Sequence, residues 1–213
     1  MAAWWASAAM EACAHRDDVA LGVQNVHWEE SGAFTGEISV PMAVVAGATH
    51  ALIGHSERRH LFGETNQEVG MKVSAALEGG LVPVVCVGET LEEREGGRLE
   101  EVLLEQMEAF LLVLQAHPGA RVMLAYEPVW AIGDNGIPAT SDYADARQAE
   151  IIGTAQDVLG RRLPCLYGGS VNPDNAREIL STPEVGGALV GGASLTADSF
   201  MGIALAAGDP PEG

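Results

Sequence analysis

Six short apolar runs punctuate the chain, at residues 19–23, 50–53, 82–87, 122–125, 163–167 and 187–190, and each has too few polar alternations for a strand with one wet face. Such runs suit parallel strands buried on both faces. Between them, residues 66–77, 99–114, 142–159 and 173–180 repeat their apolar positions with the helical period, which predicts amphipathic helices. Thr65 ahead of Glu68 and Ser141 ahead of Asp142 supply predicted N-caps. Strand and helix alternating at intervals of about 30 residues imply right-handed βα units on a parallel sheet. The periodicity leaves two architectures open, an open doubly wound sheet and a closed (β/α)8 barrel. No Gly-x-Gly-x-x-Gly follows the first strand, so a dinucleotide site has no support.

Composition narrows the classes. The 213 residues, 47% of them hydrophobic, can bury a full core and suit one α/β domain over residues 1–213. A formal charge of −19 argues against nucleic acid and against an anionic membrane surface, because the basic footprint that such partners need is missing. The opening residues lack a basic n-region, and no apolar run approaches the roughly 20 residues of a bilayer span. Cys13, Cys86 and Cys165 are far apart and odd in number, which predicts reduced core thiols in a cytoplasmic protein. Lys72 is the one lysine, and it falls in an ordinary helical stretch.

Candidate chemistry sits just after the apolar runs, where α/β enzymes keep it. His55 comes after Ala51-Leu52-Ile53-Gly54 and before Ser56-Glu57-Arg58-Arg59, with Ser56 able to cap a helical turn. A helix N-terminus disfavours the imidazolium, so a neutral imidazole there can donate to a carbonyl oxygen. Glu127 ends the run at 122–125 and is followed by Pro128; a carboxylate at a buried strand end is partly desolvated and gains basicity. Singly, His55 also suits a polar loop or salt-bridged turn, and Glu127 a cap or ion pair. The stretch Trp130-Ala131-Ile132-Gly133-Asp134-Asn135-Gly136-Ile137-Pro138 is an apolar, Gly-containing loop with the composition of a hinged lid. Gly168-Gly169-Ser170-Val171 and Gly191-Gly192-Ala193-Ser194-Leu195 each come after an apolar run. Backbone N–H groups in such turns can hold phosphate without a cationic side chain.

Taken together, Gln24-Asn25, the stretch at 32–39, Gly54-His55-Ser56-Glu57-Arg58-Arg59, Val85-Cys86-Val87-Gly88-Glu89-Thr90-Leu91, and the stretches at 125–133, 167–171 and 189–195 closely resemble the triosephosphate isomerase family, in its order and over nearly the whole chain. The resemblance implies an α/β fold of the (β/α)8 barrel type. It implies His55 as electrophile, Glu127 as base, Glu57 as a supporting carboxylate, and phosphate held by backbone at Gly133, Ser170, Gly191 and Gly192. It further implies interconversion of dihydroxyacetone phosphate and glyceraldehyde 3-phosphate through an enediolate, in glycolysis and gluconeogenesis, without cofactor or metal. A homodimer is implied as well, with Thr35 at the tip of a loop that enters the partner. The pairing of a carboxylate base with a neutral His is already well known for this family.

Two departures from the family's pattern set further expectations. The initial strand with its Asn-x-Lys motif has no counterpart, so about six of the eight barrel strands are expected, in a chain truncated at its N-terminus and weakened in closure and activity. The lid is slightly longer than the family's usual one and is similar to that of relatives proposed to act on four-carbon ketose phosphates, and His27-Trp28 points the same way. An erythrulose phosphate isomerase using the same residues is therefore the first alternative. A non-catalytic barrel remnant that binds phosphate esters is the second.

Overall fold

Valine-rich runs become strands where neighbouring backbone can satisfy both faces of their hydrogen-bonding ladder, and helices fill the intervals. The computed structural model describes residues 6–13, 16–133, 136–137 and 139–208. Its elements run α1 (Ala6–Cys13), β1 (Gly22–Val23), α2 (Val40–Val45), β2 (His50–Ile53), α3 (Ser56–Phe62), α4 (Asn66–Glu78), β3 (Val82–Val87), α5 (Leu91–Glu95), α6 (Leu99–Gln115), β4 (Met123–Tyr126), α7 (Ser141–Leu159), β5 (Cys165–Tyr167), α8 (Ala176–Leu180) and α9 (Ala197–Ala206). Short 3-10 turns occur at Val129–Ala131 and Gly192–Ser194. Two compact units result, one formed by Met1–Cys86 with Glu105–Met123, the other by Val87–Leu104 with Leu124–Gly213.

In the first unit β1, β2 and β3 pair in parallel, with Val23 opposite Ala51 and the stretch from His50 to Ile53 opposite that from Val82 to Val85. Val23, Ala51, Ile53, Val85, Val69, Val73 and Phe110 are buried. Helix α4 packs on β2 and begins with a complete capping box, in which Thr65 Oγ1 accepts from the Glu68 N–H while Glu68 accepts from the Thr65 N–H at 2.7 Å. Gly70 faces Ala109 so closely that a Cβ there would lie 2.6 Å from the Ala109 carbonyl oxygen. In the second unit β4 pairs in parallel with β5, Leu124 opposite Cys165 and Tyr126 opposite Tyr167. Helix α7 covers β5 with the buried residues Ala144, Ile151, Ile152 and Ala155.

Three expectations change in detail. The run at 187–190 is not an extended strand: it contributes one parallel bridge, Ala188 to Tyr167, because flanking glycines give it little to pack. The cap of α7 is Thr140, whose Oγ1 accepts from the Tyr143 N–H at 3.2 Å; Ser141 is the first helical residue and donates to Glu178 instead. The helix expected from 173 starts at Ala176, since Asn172 Oδ1 accepts from the N–H groups of Asp174 and Asn175 and holds Pro173 to Asn175 as a turn. Cys86 and Cys165 are buried free thiols, and burial pushes the Cys165 thiol up to about 12. The side chain of Cys13 lies outside the described residues. Among the described residues no helix is long and apolar enough to cross a membrane.

Lys72 proves to be structural rather than ordinary. It is 3% exposed, ion-pairs with Glu64, and donates to Asn25 Oδ1 at 2.8 Å, so it ties α4 to the segment after β1. Arg58 Nε reaches the same Glu64 oxygen at 2.7 Å. Burial pushes the Glu64 carboxyl up, but hydrogen bonds from Lys72 and Arg58 outweigh it and hold the group below its ordinary value. A carboxyl lowered in the folded state contributes stability above its unfolded value and loses it as pH falls through the folded one. Removing one partner of a buried pair is expensive. Lys72→Met is therefore expected to destabilise the chain by about 3 kcal/mol at neutral pH. In parallel denaturant titrations the gap to the parent should narrow on acidification below about pH 4, and a gap that is absent or independent of pH would contradict this role.

Candidate active site

The first unit carries His55. It stands one residue past Gly54, whose φ of +73° turns the chain sharply out of β2 in a conformation that suits glycine. Arg59 locks the turn, donating to the Gly54 carbonyl at 2.8 Å, to Asn66 Oδ1 at 2.6 Å and to the Cys86 carbonyl at 3.1 Å. The N-cap of α3 is His55 itself rather than Ser56: its Nδ1 accepts from the Glu57 N–H at 3.3 Å. A nitrogen that accepts carries no proton, so in the neutral ring the proton sits on Nε2. The Glu57 carboxylate is exposed, and its backbone N–H is what holds the imidazole. Thr35 is also exposed. Beside it the Phe34 ring lies tilted against His27 with centroids 4.2 Å apart, and His27 stacks on Trp28 at 4.1 Å.

The second unit carries Glu127, one residue beyond β4 and 2% exposed. Its N–H donates to the Val87 carbonyl at 2.8 Å, and the Gly168 N–H donates to the Tyr126 carbonyl at 2.7 Å. The backbone at the end of β4 is thus pinned on one side to the last residue of β3 and on the other to the first residue beyond β5. Positions 88 and 168, just past the two strands, must both be glycine for lack of room. A Cβ on Gly88 would overlap the Glu127 carbonyl oxygen, and one on Gly168 would come within 2.8 Å of Glu127 Cγ and 3.0 Å of the Tyr126 carbonyl.

Behind Glu127 lies a group that sequence reasoning missed. Glu89 is fully buried and accepts from the Tyr126 hydroxyl at 3.0 Å, Trp130 Nε1 at 2.8 Å and the Tyr143 hydroxyl at 3.3 Å. The guanidinium of Arg94 lies over the Trp130 ring at 4.1 Å. Glu89 belongs to the run Val85-Cys86-Val87-Gly88-Glu89-Thr90-Leu91, but a lone acid after a strand carries no signal of its aromatic donors.

The phosphate candidates differ in availability. The Ser170 N–H is donated to the Ala131 carbonyl at 3.0 Å, which ties the β5 loop to the turn after Glu127. Gly133 has φ +79°, and its carbonyl accepts from the Gly136 N–H at 3.1 Å. Asp134, Asn135 and Pro138 of the expected lid lie outside the described residues. Gly191 and Gly192 are exposed; their carbonyls accept from Ser194 and Leu195, and among the described residues their own N–H groups make no bond to the protein.

Parallel strands with candidate catalytic side chains just past their carboxyl ends are the arrangement of α/β enzymes. The family model for triosephosphate isomerase matches residues 2–207. The chain is 53% identical over 186 residues to the L-erythrulose-1-phosphate isomerase of Brucella abortus biovar 1 (strain 9-941), covering 87% of this chain and 73% of that one. It is 52% identical to the protein of the same name from Rhizobium rhizogenes (strain K84 / ATCC BAA-868), over 87% and 71%. Among solved structures it resembles triosephosphate isomerase from Bartonella henselae, with a TM-score of 0.86 and 42% identity, over 96% of this chain and 83% of that one. The chain belongs to the triosephosphate isomerase family and has its α/β fold.

The glycine beside the base is the simplest part of this geometry to test. Gly88→Ala should lower stability by the roughly 1–3 kcal/mol or more of an overpacked site, read as a lower melting temperature, and abolish turnover. Gly153→Ala in α7, where a Cβ meets nothing within 4 Å, should be neutral or stabilise by about 0.5–1 kcal/mol. Equal behaviour of the two variants would contradict the close approach at Glu127.

Proposed function

We propose that the chain isomerises a four-carbon ketose phosphate of the erythrulose phosphate kind. Glu127 takes the proton from the carbon beside the carbonyl and returns it to the former carbonyl carbon, through an enediolate. The Nε2–H of His55 polarises the two oxygens, and Glu57 supports the site through its N–H bond to the imidazole. Backbone N–H groups at Gly133, Gly191 and Gly192 hold the phosphate; Ser170 joins them when its N–H leaves the Ala131 carbonyl. No cationic side chain is needed for that hold. The buried carboxylate one residue beyond β4 supports the reaction type, since a positioned carboxylate can take up and return a proton.

The observation that carries the substrate is the 53% identity, over 87% of this chain, to a curated relative named for L-erythrulose 1-phosphate. It favours this reading over the triose phosphate interconversion that the motifs put first. Homodimer formation is part of the proposal, through the loop that carries Phe34 and Thr35, both of them exposed.

The substrate is decided by initial rates on L-erythrulose 1-phosphate and dihydroxyacetone phosphate under the same conditions. A preference of at least about tenfold for the four-carbon ester, which corresponds to about 1.4 kcal/mol in the barrier, is expected; a three-carbon preference restores the triose reading, and no turnover on either supports a binding protein. Glu127→Gln should cost about 10²-fold to 10⁴-fold in kcat, and a variant keeping most of the activity would sink the assignment of the base.

A further inference from the structure

The Glu89 cluster contains one member that the reaction as proposed does not use. Tyr143 comes from the first turn of α7, on the far side of the loop that begins at Trp130. Its hydroxyl donates to Glu89 Oε1 at 3.3 Å, the oxygen that also receives Trp130 Nε1 at 2.8 Å and the Tyr126 hydroxyl at 3.0 Å. Its ring meets Trp130 edge-on, with centroids 5.5 Å apart and planes at 76°. Arg94 lies over both rings, 4.1 Å from Trp130 and 4.7 Å from Tyr143.

A fully buried carboxylate is tolerable only when hydrogen bonds replace its water, and here the donors are two phenols and an indole. Burial, before any other cause, pushes both the Tyr126 and the Tyr143 phenols above their ordinary value, so both keep the proton they donate. Two of the donors bracket Glu127 in sequence, Tyr126 immediately before it and Trp130 three residues after. Whatever fixes Glu89 therefore fixes the backbone on both sides of the base.

We infer that Tyr143 is a positioning residue for Glu127: by donating to Glu89, it holds in place the carboxylate that anchors Tyr126 and Trp130. The inference rests on the proposed role of Glu127 as base. Tyr143 touches no reacting atom, and its contribution comes through the orientation of Glu89. The ring and the hydroxyl are separable, since Tyr143→Phe keeps the edge-on contact with Trp130 and the face presented to Arg94 while removing only the O–H.

The test is a double-mutant cycle with Tyr143→Phe, Trp130→Phe and both together. The kcat, KM and melting temperature of each are read on whichever of the two phosphate esters the parent turns over. Tyr143→Phe should lower kcat by about threefold to tenfold, the range for one lost hydrogen bond, with KM within about twofold and the melting temperature nearly unchanged. Because both side chains act on one carboxylate oxygen, the double variant should lose clearly less than the product of the two single losses. An unchanged kcat, losses that multiply, or a kcat loss matched by a lost folded fraction would each overturn the inference. Glu127→Gln, measured alongside, separates the two levels. If it keeps its activity, the base assignment fails and the inference with it. If it is inactive while Tyr143→Phe is unaffected, only the positioning role fails.

Discussion

The hydrogen bond from the Glu127 N–H to the Val87 carbonyl, made where Gly88 leaves no room for a side chain, is the constraint on which the proposed site depends. A carboxylate can be buried at a strand end only if the backbone beneath it is fully paired, because a loose peptide there would carry unsatisfied groups of its own. The Val87 carbonyl and the Gly168 N–H supply that pairing from two directions. The same close approach leaves Glu127 2% exposed, so the proposed proton transfer runs away from bulk water. Placement and chemistry thus come from one packing fact.

Charge is handled by a second economy. A chain of net charge −19 with eleven lysines and arginines has few cations to spare, and two of them, Lys72 and Arg58, converge on the buried carboxylate of Glu64. Glu89, equally buried, is served by phenol and indole donors instead. Phosphate binding is assigned to backbone N–H groups for the same reason. The first arrangement holds α4 to the segment after β1, and the second holds the turn beyond β4.

Much of this was legible in the sequence because the signals were local. The runs at 50–53 and 82–87 became β2 and β3 with those bounds, and the Thr65 capping box formed as its spacing required. Glu127 stands directly after β4 and His55 one glycine past the end of β2, as the apolar runs before them implied. Two of the failures share a cause, which is competition by side chains that periodicity does not see, and the third comes from glycine. Asn172 captured the start of the expected helix at 173, Thr140 displaced Ser141 as a cap, and the run at 187–190 had glycine where a ladder needed packing. Lys72 and Glu89 were misread or missed because burial with a partner distant in sequence leaves no local mark: Lys72 lies 47 residues from Asn25, and Glu89 lies 54 from Tyr143.

The central claim is that a carboxylate fixed at the end of β4 moves a proton between adjacent carbons of a phosphorylated ketose. Isomerisation run in heavy water with L-erythrulose 1-phosphate, the product read by NMR and mass spectrometry, addresses it directly. A base that removes and returns a proton exchanges it with solvent, so one deuterium is expected at the former carbonyl carbon and no labelled product with Glu127→Gln. Product formed wholly without deuterium would contradict a base that exchanges its proton with solvent, and labelling that survives Glu127→Gln would mean that the base lies elsewhere.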